Sequence, residues 1–419
     1  MPTTGPATNW AGTITYGAAR VHRPATVDAL RATVAAADRV RALGTGHSFN
    51  RIADTSGDLV RLDGLPKTVR IDAAAGTATV GAGMRYAEIA GPLHAAGFAL
   101  GSLASLPHIT VAGSCATGTH GSGDTRRSLS AAVAGLRIVG ADGGVRELSR
   151  AADPELLRGA VVALGGLGIV LDVTLDIEPA FDVAQWVYTG LPLDRMAADV
   201  DAVFGAAYSV SVFTDWHSGE GVAWLKRRAD SDGTGPMPRR WLGAHRAERP
   251  HHPLPGVSPV HCTEQLGVPG PWHERLPHFR AAFTPSHGEE VQSELLVPRS
   301  AAPEAFAALR RLGPRMAPLL QVAEVRTVAA DDLWLSPAYG RDSVALHFTW
   351  VKDTAAVLPV VAAVEAELMP LGARPHWAKL TADTPAETAA RYDRAADFGA
   401  LLRSFDPAGK FGNAYTAAF

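Results

Sequence analysis

Two cysteines, Cys115 and Cys262, in a chain of 419 residues give no support for a disulfide-stapled scaffold. Neither sign of charge predominates. Lys and Arg number 39 against 42 Asp and Glu, a net charge of −3 with both signs interspersed, so the chain has no electrostatic footprint for nucleic acid or an anionic membrane. No apolar run reads as long enough to span a bilayer. The opening MPTTGPATNWAGTITYG lacks a charged segment followed by an apolar core, so no secretory signal is expected and the cytoplasm is the expected compartment. Several chemical signatures are also missing. There is no G-x-x-x-x-G-K-[ST] loop, Gly44-Thr45-Gly46 lacks the third glycine of a dinucleotide fingerprint, and no G-x-S-x-G elbow occurs. P-loop, doubly wound NAD and α/β-hydrolase chemistries are therefore disfavoured. No H-E-x-x-H is present and Cys262, His273 and His278 match no zinc spacing, so no metal is expected.

What is present reads as an ordered α+β protein. Hydrophobic residues at 47% and charged residues at 19% exclude a disordered chain, and the length calls for two domains, with a boundary near Ile177. Thr26 is placed to cap a helix through Ala37, and Val40–Leu43 reads as a short strand. Val69–Asp72 with Thr77–Gly81, and Leu136–Val139 with Val145–Leu148, read as hairpins turning at Ala75-Gly76 and Asp142-Gly143. Tyr86, Ile89, Ala90 and Leu93 mark a second helix closed by Gly97. A Pro-, Arg- and His-rich segment, Arg227 to Pro259, reads as an irregular surface excursion.

Two stretches look built for a ligand. In Gly44-Thr45-Gly46-His47-Ser48-Phe49, glycines at the end of an apolar run let the backbone turn and approach an anion, with an imidazole beside it. In Ala104 to Gly123, small and hydroxyl residues crowd together almost without charge, which suits closure on a polar ligand more than a packed helix or regular strand. His108 and His120 within it can simply satisfy carbonyls. Phe405 to Asn413 reads as another tight turn near a ligand. In the second half, Glu324 and Arg326 are two apart on one strand, as are His347 and Thr349 on another, with Leu346, Phe348 and Trp350 on the opposite face. Such faces can line one cavity with an acid, a cation, an imidazole and a hydroxyl. Pattern alone leaves open a solvated sheet face, and His376-Trp377-Ala378-Lys379 taken singly reads as surface.

Together, Gly44-Thr45-Gly46-His47-Ser48, the stretch Ser105-Leu106-Pro107-His108 to Gly123, the Gly168-Ile169-Val170 strand and His376-Trp377-Ala378-Lys379 resemble the vanillyl-alcohol-oxidase-type flavoproteins. Within them the likeness is to the alditol oxidases, with aldonolactone oxidases as cousins. The resemblance implies an FAD-binding domain over residues 1–178, a cap with an antiparallel sheet over 179–375, and a C-terminal segment, 376–419, returning to the FAD-binding domain. It implies FAD bound by Gly44, Thr45, Gly46, His47, Ser48, Phe49, Ser105, Thr110, Gly113, Ser114, Thr117, Gly118, His120, Gly121, Ile169, His376 and Asn413. His47 is implied as the covalent attachment point. Leu106 stands where bicovalent relatives carry cysteine, so a single linkage is expected. Ser105, Glu324, Arg326, Thr349 and Lys379 are implied to bind substrate, with Arg326, Lys379, His347 and Glu324 catalytic. The implied reaction is oxidation of the C1 hydroxyl of a polyol such as xylitol or sorbitol by a monomer, O2 becoming H2O2, with aldonolactone oxidation or dehydrogenation as the alternative. A sugar-binding protein without cofactor is the contrasting expectation. Ala378 departs from that likeness by replacing the usual glycine between tryptophan and lysine, which puts substrate size in question.

Overall fold

A computed structural model describes residues 7–231, 235, 237–283 and 288–419. The fold is α+β with two main sheets. In the first half a five-stranded antiparallel sheet runs in the order Val69–Asp72, Thr77–Gly81, Ile169–Asp176, Val133–Val139, Val145–Ser149. Beside it lies a parallel trio, Arg20–His22, Asp58–Val60 and Val40–Ala42. The capped helix forms over Val27–Ala36, with Thr26 Oγ1 accepting from Ala29 N at 3.1 Å. Such a cap is worth about 1 kcal/mol. The second helix forms over Tyr86–Ala95, and both expected hairpins are present.

The second half is one large antiparallel sheet whose central strands are Ser209–Thr214, Leu320–Val328, Ser343–Val351 and Glu290–Pro298. The outer face of this sheet packs under the helices Ala302–Met316 and Thr354–Leu368, through Val325, Leu346, Phe348, Trp350, Phe306, Val361 and Val364. Each such apolar side chain removed from water contributes roughly 1.5–3 kcal/mol. With that face committed to the core, alternation sends the intervening polar residues to the other face, toward the first half of the chain. The two halves are tied by Gly123 N to Thr327 O at 3.0 Å, Phe49 N to Ala378 O at 2.7 Å, and Asn50 Nδ2 to Trp377 O at 2.7 Å.

Three expectations need correction. The hydroxyl-rich stretch contains a six-residue helix, Val111–Ala116, where none was expected. Val111 and Cys115, four apart, supply its buried stripe, while Ala112, Gly113 and Ser114 are small enough for close approach. The excursion expected over Arg227–Pro259 begins inside the strand Glu220–Arg228 and includes a short antiparallel pair, Arg240–Trp241 with Ala244–Arg246; residues 232–234 and 236 lie outside the described set. Finally, the 18-residue window Thr354–Leu371 has a mean hydropathy of 1.6, enough by length and composition to cross a membrane. Glu365 and Glu367 interrupt it, which is why it did not read as an apolar run. In the fold Val357, Val360, Val361, Val364 and Leu368 are buried in the core, and Glu365 accepts from Thr381 Oγ1 at 2.7 Å.

Candidate active site

The glycine loop forms because the strand Val40–Ala42 ends at residues that need close backbone approach. Gly46 has φ +73°, and a Cβ on Gly44 would lie 2.3 Å from Thr110 Oγ1, so the loop meets the hydroxyl-rich stretch face to face. Trp10 stacks on His47, ring centroids 4.9 Å apart and planes 20° apart, and Trp10 N donates to Gly46 O at 2.7 Å. His47 Nδ1 lies 2.9 Å from Thr45 Oγ1, while Nε2 is buried with no partner among the described residues. Burial, reinforced by nearby Lys379, pushes the His47 pKa down to about 3, so the ring is neutral.

Opposite this wall, the inner face of the large sheet carries charge across three adjacent strands. Glu324 pairs with His347 and Val322 with Thr349; on the far side Gln292 pairs with Thr349 and Glu294 with His347. Glu294 is the hub. Its Oε1 accepts from Arg326 Nη2 at 2.7 Å and faces His120 Nε2 at 3.2 Å, and its Oε2 is 3.5 Å from His347 Nδ1. Burial opposes ionisation there, yet Arg326, His120 and His347 hold the Glu294 carboxyl well below the usual carboxylate range. Glu324 is likewise lowered against burial, by Arg326 and His278. Lys379 Nζ donates to Gln292 Oε1, and burial lowers its pKa to about 8 despite Glu294. His347 is pushed down by burial, which leaves a neutral imidazole able to accept a proton. His376 Nδ1 accepts from Ala378 N at 3.1 Å, leaving Nε2 to carry the ring proton.

Both walls line one cavity of about 360 Å³. Of the residues singled out from sequence, Gly44, Thr45, Gly46, His47, Ser48, Phe49, Ser105, Thr110, Gly113, Ser114, Thr117, His120, His376, Glu324, Arg326, His347, Thr349 and Lys379 line it. Four do not. Gly118 packs against Pro337 and Gly121 against Ser102 and Leu103, while Ile169 is wholly buried in the first core. Asn413 donates to the carbonyls of Ile52 and Asp54, and its turn is a structural tie: Asp406 accepts from Lys410 N and Phe411 N, and Lys410 Nζ binds the carbonyls of Val34, Ala35 and Ala141. A tight turn satisfies its own backbone in this way whether or not a ligand is near, so the sequence could not distinguish the two. His108 bonds Ala281 O at 2.9 Å, and Cys115 lies in the first core, 3.9 Å from Tyr86 Oη.

Sequence reasoning missed Glu290, Gln292 and Glu294, all of which line the cavity. The signal was there, since they alternate with buried Val291, Ser293 and Leu295 in the same period of two. It also missed Trp10, Arg41 and His278. Arg41 is buried, and its guanidinium donates to the carbonyls of Phe411, Ile52 and Leu164.

Residues 18–149 match the FAD binding domain family, and residues 287–419 match the D-arabinono-1,4-lactone oxidase family. The alditol oxidase of Streptomyces sp. (strain IKD472 / FERM P-14339) is 52% identical over 97% of each chain. The chain belongs to the alditol oxidase family. More distant relatives include the L-gulono-1,4-lactone dehydrogenase of Mycobacterium tuberculosis, 28% identical over 97% of each chain, and the L-gulonolactone oxidase of Bos taurus, 27% identical over 97% of this chain and 96% of its own. Cholesterol oxidase from B. sterolicum shares the fold, with TM-score 0.77 at 13% identity, over 100% of this chain and 97% of its own. This family is FAD-dependent, and the first wall fits that cofactor. Glycines at 44, 46 and 113 let the loop close tightly on Asn9, Trp10 and Thr110 behind it, hydroxyls on Thr45, Ser48, Thr110 and Thr117 offer hydrogen bonds, and a buried imidazole nitrogen has no partner among the described residues.

Proposed function

We propose that this oxidoreductase removes two electrons from the C1 hydroxyl of open-chain sugar alcohols, xylitol and sorbitol among them, giving the aldose, with O2 reduced to H2O2. The observation that carries the reading is the buried polar face of Glu324, Arg326, His347 and Thr349, with half-buried Lys379 beside it, set in the same cavity as the His47 loop. The likeness to an alditol oxidase along nearly the whole chain supports it.

When bound, FAD supplies the electron acceptor. The chain's own residues do the rest. Arg326 and Lys379 stabilise negative charge developing on the substrate oxygen as its proton leaves. His347, neutral and buried, receives that proton. Glu324, Ser105 and Thr349 hydrogen-bond the remaining hydroxyls, and a site of this kind penalises analogues that leave its groups unpaired. His47 would carry the single covalent link to the flavin. Its low pKa keeps the imidazole lone pair free for that bond. Leu106 lines the cavity and offers no thiol for a second link. The protein acts as a cytoplasmic monomer.

A second reading, aldonolactone oxidation or dehydrogenation, is supported by the match of residues 287–419 and by the gulonolactone relatives. Peroxide release from xylitol against L-gulonolactone, with O2 as sole acceptor, decides between them. The polyol reading requires turnover of xylitol, and turnover of the lactone alone would sink it. Acid precipitation is expected to give a yellow pellet, and His47→Ala a colourless one. A yellow pellet from the variant would move the attachment elsewhere.

A further inference from the structure

Behind Glu324 lies a lysine that the proposed chemistry does not use. Lys226, in the strand Glu220–Arg228, is only 1% exposed. A buried ammonium is costly unless oxygen atoms replace its water. Here its Nζ donates to Leu276 O, and to Pro277 O at 3.1 Å, and it lies 3.2 Å from His278 Nδ1. The other ring nitrogen, Nε2, is 2.8 Å from Glu324 Oε1. Phe213 and Trp224 stand edge-on to the imidazole at 5.3 and 5.1 Å, and His278 N donates to Ser105 O at 3.0 Å. The ring is therefore held on both sides and at its backbone.

An ammonium has only N–H bonds to offer, so its contact compels Nδ1 to accept. The proton of the neutral ring then sits on Nε2 and is donated to Glu324. Burial and Lys226 push the His278 pKa down to about 4, which keeps the ring neutral. With Oε1 engaged by His278 and 3.6 Å from Arg326 Nε, Oε2 is the oxygen left for a ligand. We infer that Lys226 and His278 are positioning residues, which fix through the imidazole tautomer the Glu324 oxygen that receives a polyol hydroxyl. This rests on the reading of Glu324 as a polyol-binding group.

A pH dependence follows. Burial lowers the Lys226 pKa to about 7, with Glu324 and Cys262 opposing and Arg326 adding to the shift. Around it stand Gln185 and Ser209 on the paired strands, the carbonyls of Leu276 and Pro277, His278, the Cys262 thiol (pushed up to about 12, hence neutral), Glu324 and Arg326. A neutral amine can accept a hydrogen bond, so above that pH Nδ1 can carry the ring proton. A lone pair on Nε2 would then face the carboxylate.

The direct test is nitrogen NMR of the holoenzyme labelled with 15N-histidine, with His278 assigned by its loss in His278→Phe. At about pH 6 the Nε2–H tautomer is expected, and an Nδ1–H tautomer overturns the lock. For substrate, His278→Phe is expected to raise the KM for xylitol about tenfold with kcat nearly unchanged, and His278→Gln, whose amide N–H can take the place of Nε2–H, to restore most of it. An unchanged KM in His278→Phe overturns the positioning role. In the wild type KM should climb as pH rises through about 7, and in Lys226→Met it should be flat; the same climb in both overturns the role of Lys226. Glu324→Gln separates the two levels. If it leaves the xylitol KM unchanged, the reading of Glu324 falls and the link to substrate with it, while the tautomer measurement still judges Lys226 and His278 by themselves.

Discussion

The two walls of the cavity solve the problem of a polar ligand in opposite ways. The first-half wall, Gly44–Phe49 with Thr110–Thr117, contains no carboxylate and works by bringing backbone and hydroxyls close. The cap wall buries Glu294, Glu324, Arg326 and His347 on neighbouring strands, each charge balanced by another, with half-buried Lys379 reaching in from the turn after Arg374–Pro375 to Gln292. The first wall depends on the absence of side-chain volume and the second on the presence of every partner. They should therefore fail differently, the first by steric exclusion and the second by leaving a buried charge unpaired.

The largest effect is expected where the charged wall loses its central cation. Arg326→Ala leaves Glu294 and Glu324 without the guanidinium between them. Removing one member of a buried ion network costs about 3–5 kcal/mol of stability, and losing a cation at the developing oxyanion about 10²–10³-fold in kcat. Denaturant melts and steady-state kinetics on xylitol measure both, and a variant within tenfold of wild type in kcat would show that Arg326 is not at the reacting oxygen.

The glycine wall should break more gently and be repairable. A Cβ on Gly44 would sit 2.3 Å from Thr110 Oγ1 but 3.4 Å from Thr110 Cβ. Gly44→Ala is therefore expected to cost about 1–3 kcal/mol as overpacking and to lower flavin content per chain. Adding Thr110→Ala removes the clashing atom and should return flavin content toward wild type. No recovery in the double variant would mean that the hydroxyl of Thr110, and not the space at Gly44, is what the cofactor needs.

A third difference is in pH response. The first wall presents no carboxylate or ammonium, whereas Lys379 in the second has its pKa lowered by burial to about 8. The cation is present below that value and lost above it, so kcat/KM should decline on the alkaline side near pH 8. Lys379→Arg keeps its charge well beyond that range. The expected outcome is a several-fold lower plateau with the alkaline decline moved upward, read from kcat/KM against pH. With the Lys226-dependent climb in KM removed by Lys226→Met in both proteins, a decline that stays in place would assign it to another group.

The two walls also differed in how far they could be read from sequence. Alternation in Val322–Val328 and Val344–Trp350 put the right residues on one face, because a strand with one side committed to a core leaves its other side no freedom. The same rule would have found Glu290, Gln292 and Glu294. Lys226 was beyond reach, because a lysine leading into Arg227 and Arg228 reads as solvated, and it takes the carbonyls of Leu276 and Pro277 with His278, about fifty residues away in sequence, to make its burial tolerable. Glycine and hydroxyl spacing located the first wall but could not tell lining residues from packing ones. Gly113 packs against Thr110 at the edge of the cavity, while Gly118 and Gly121 pack against Pro337 and Leu103 away from it, a difference set entirely by tertiary contacts.

The smallest expected effect lies where the walls meet, at Ala378. Its carbonyl accepts from Phe49 N at 2.7 Å on the glycine side, and its N–H donates to His376 Nδ1 at 3.1 Å on the cap side. The backbone is thus pinned from both directions, and the methyl, on a residue that lines the cavity, has little freedom to move away. Ala378→Gly removes that one carbon without touching either hydrogen bond. A single methyl in a pocket discriminates by about 1–3 kcal/mol only when the ligand presses on it. Because Lys379 is also held by Gln292, the ammonium should stay in place and the change should appear in ligand size alone. The expected result is a shift of about threefold or less in the sorbitol-to-xylitol ratio of kcat/KM, in favour of the longer chain. An equal gain or loss on both polyols would mean that the methyl acts on Lys379 and not on the room beside it.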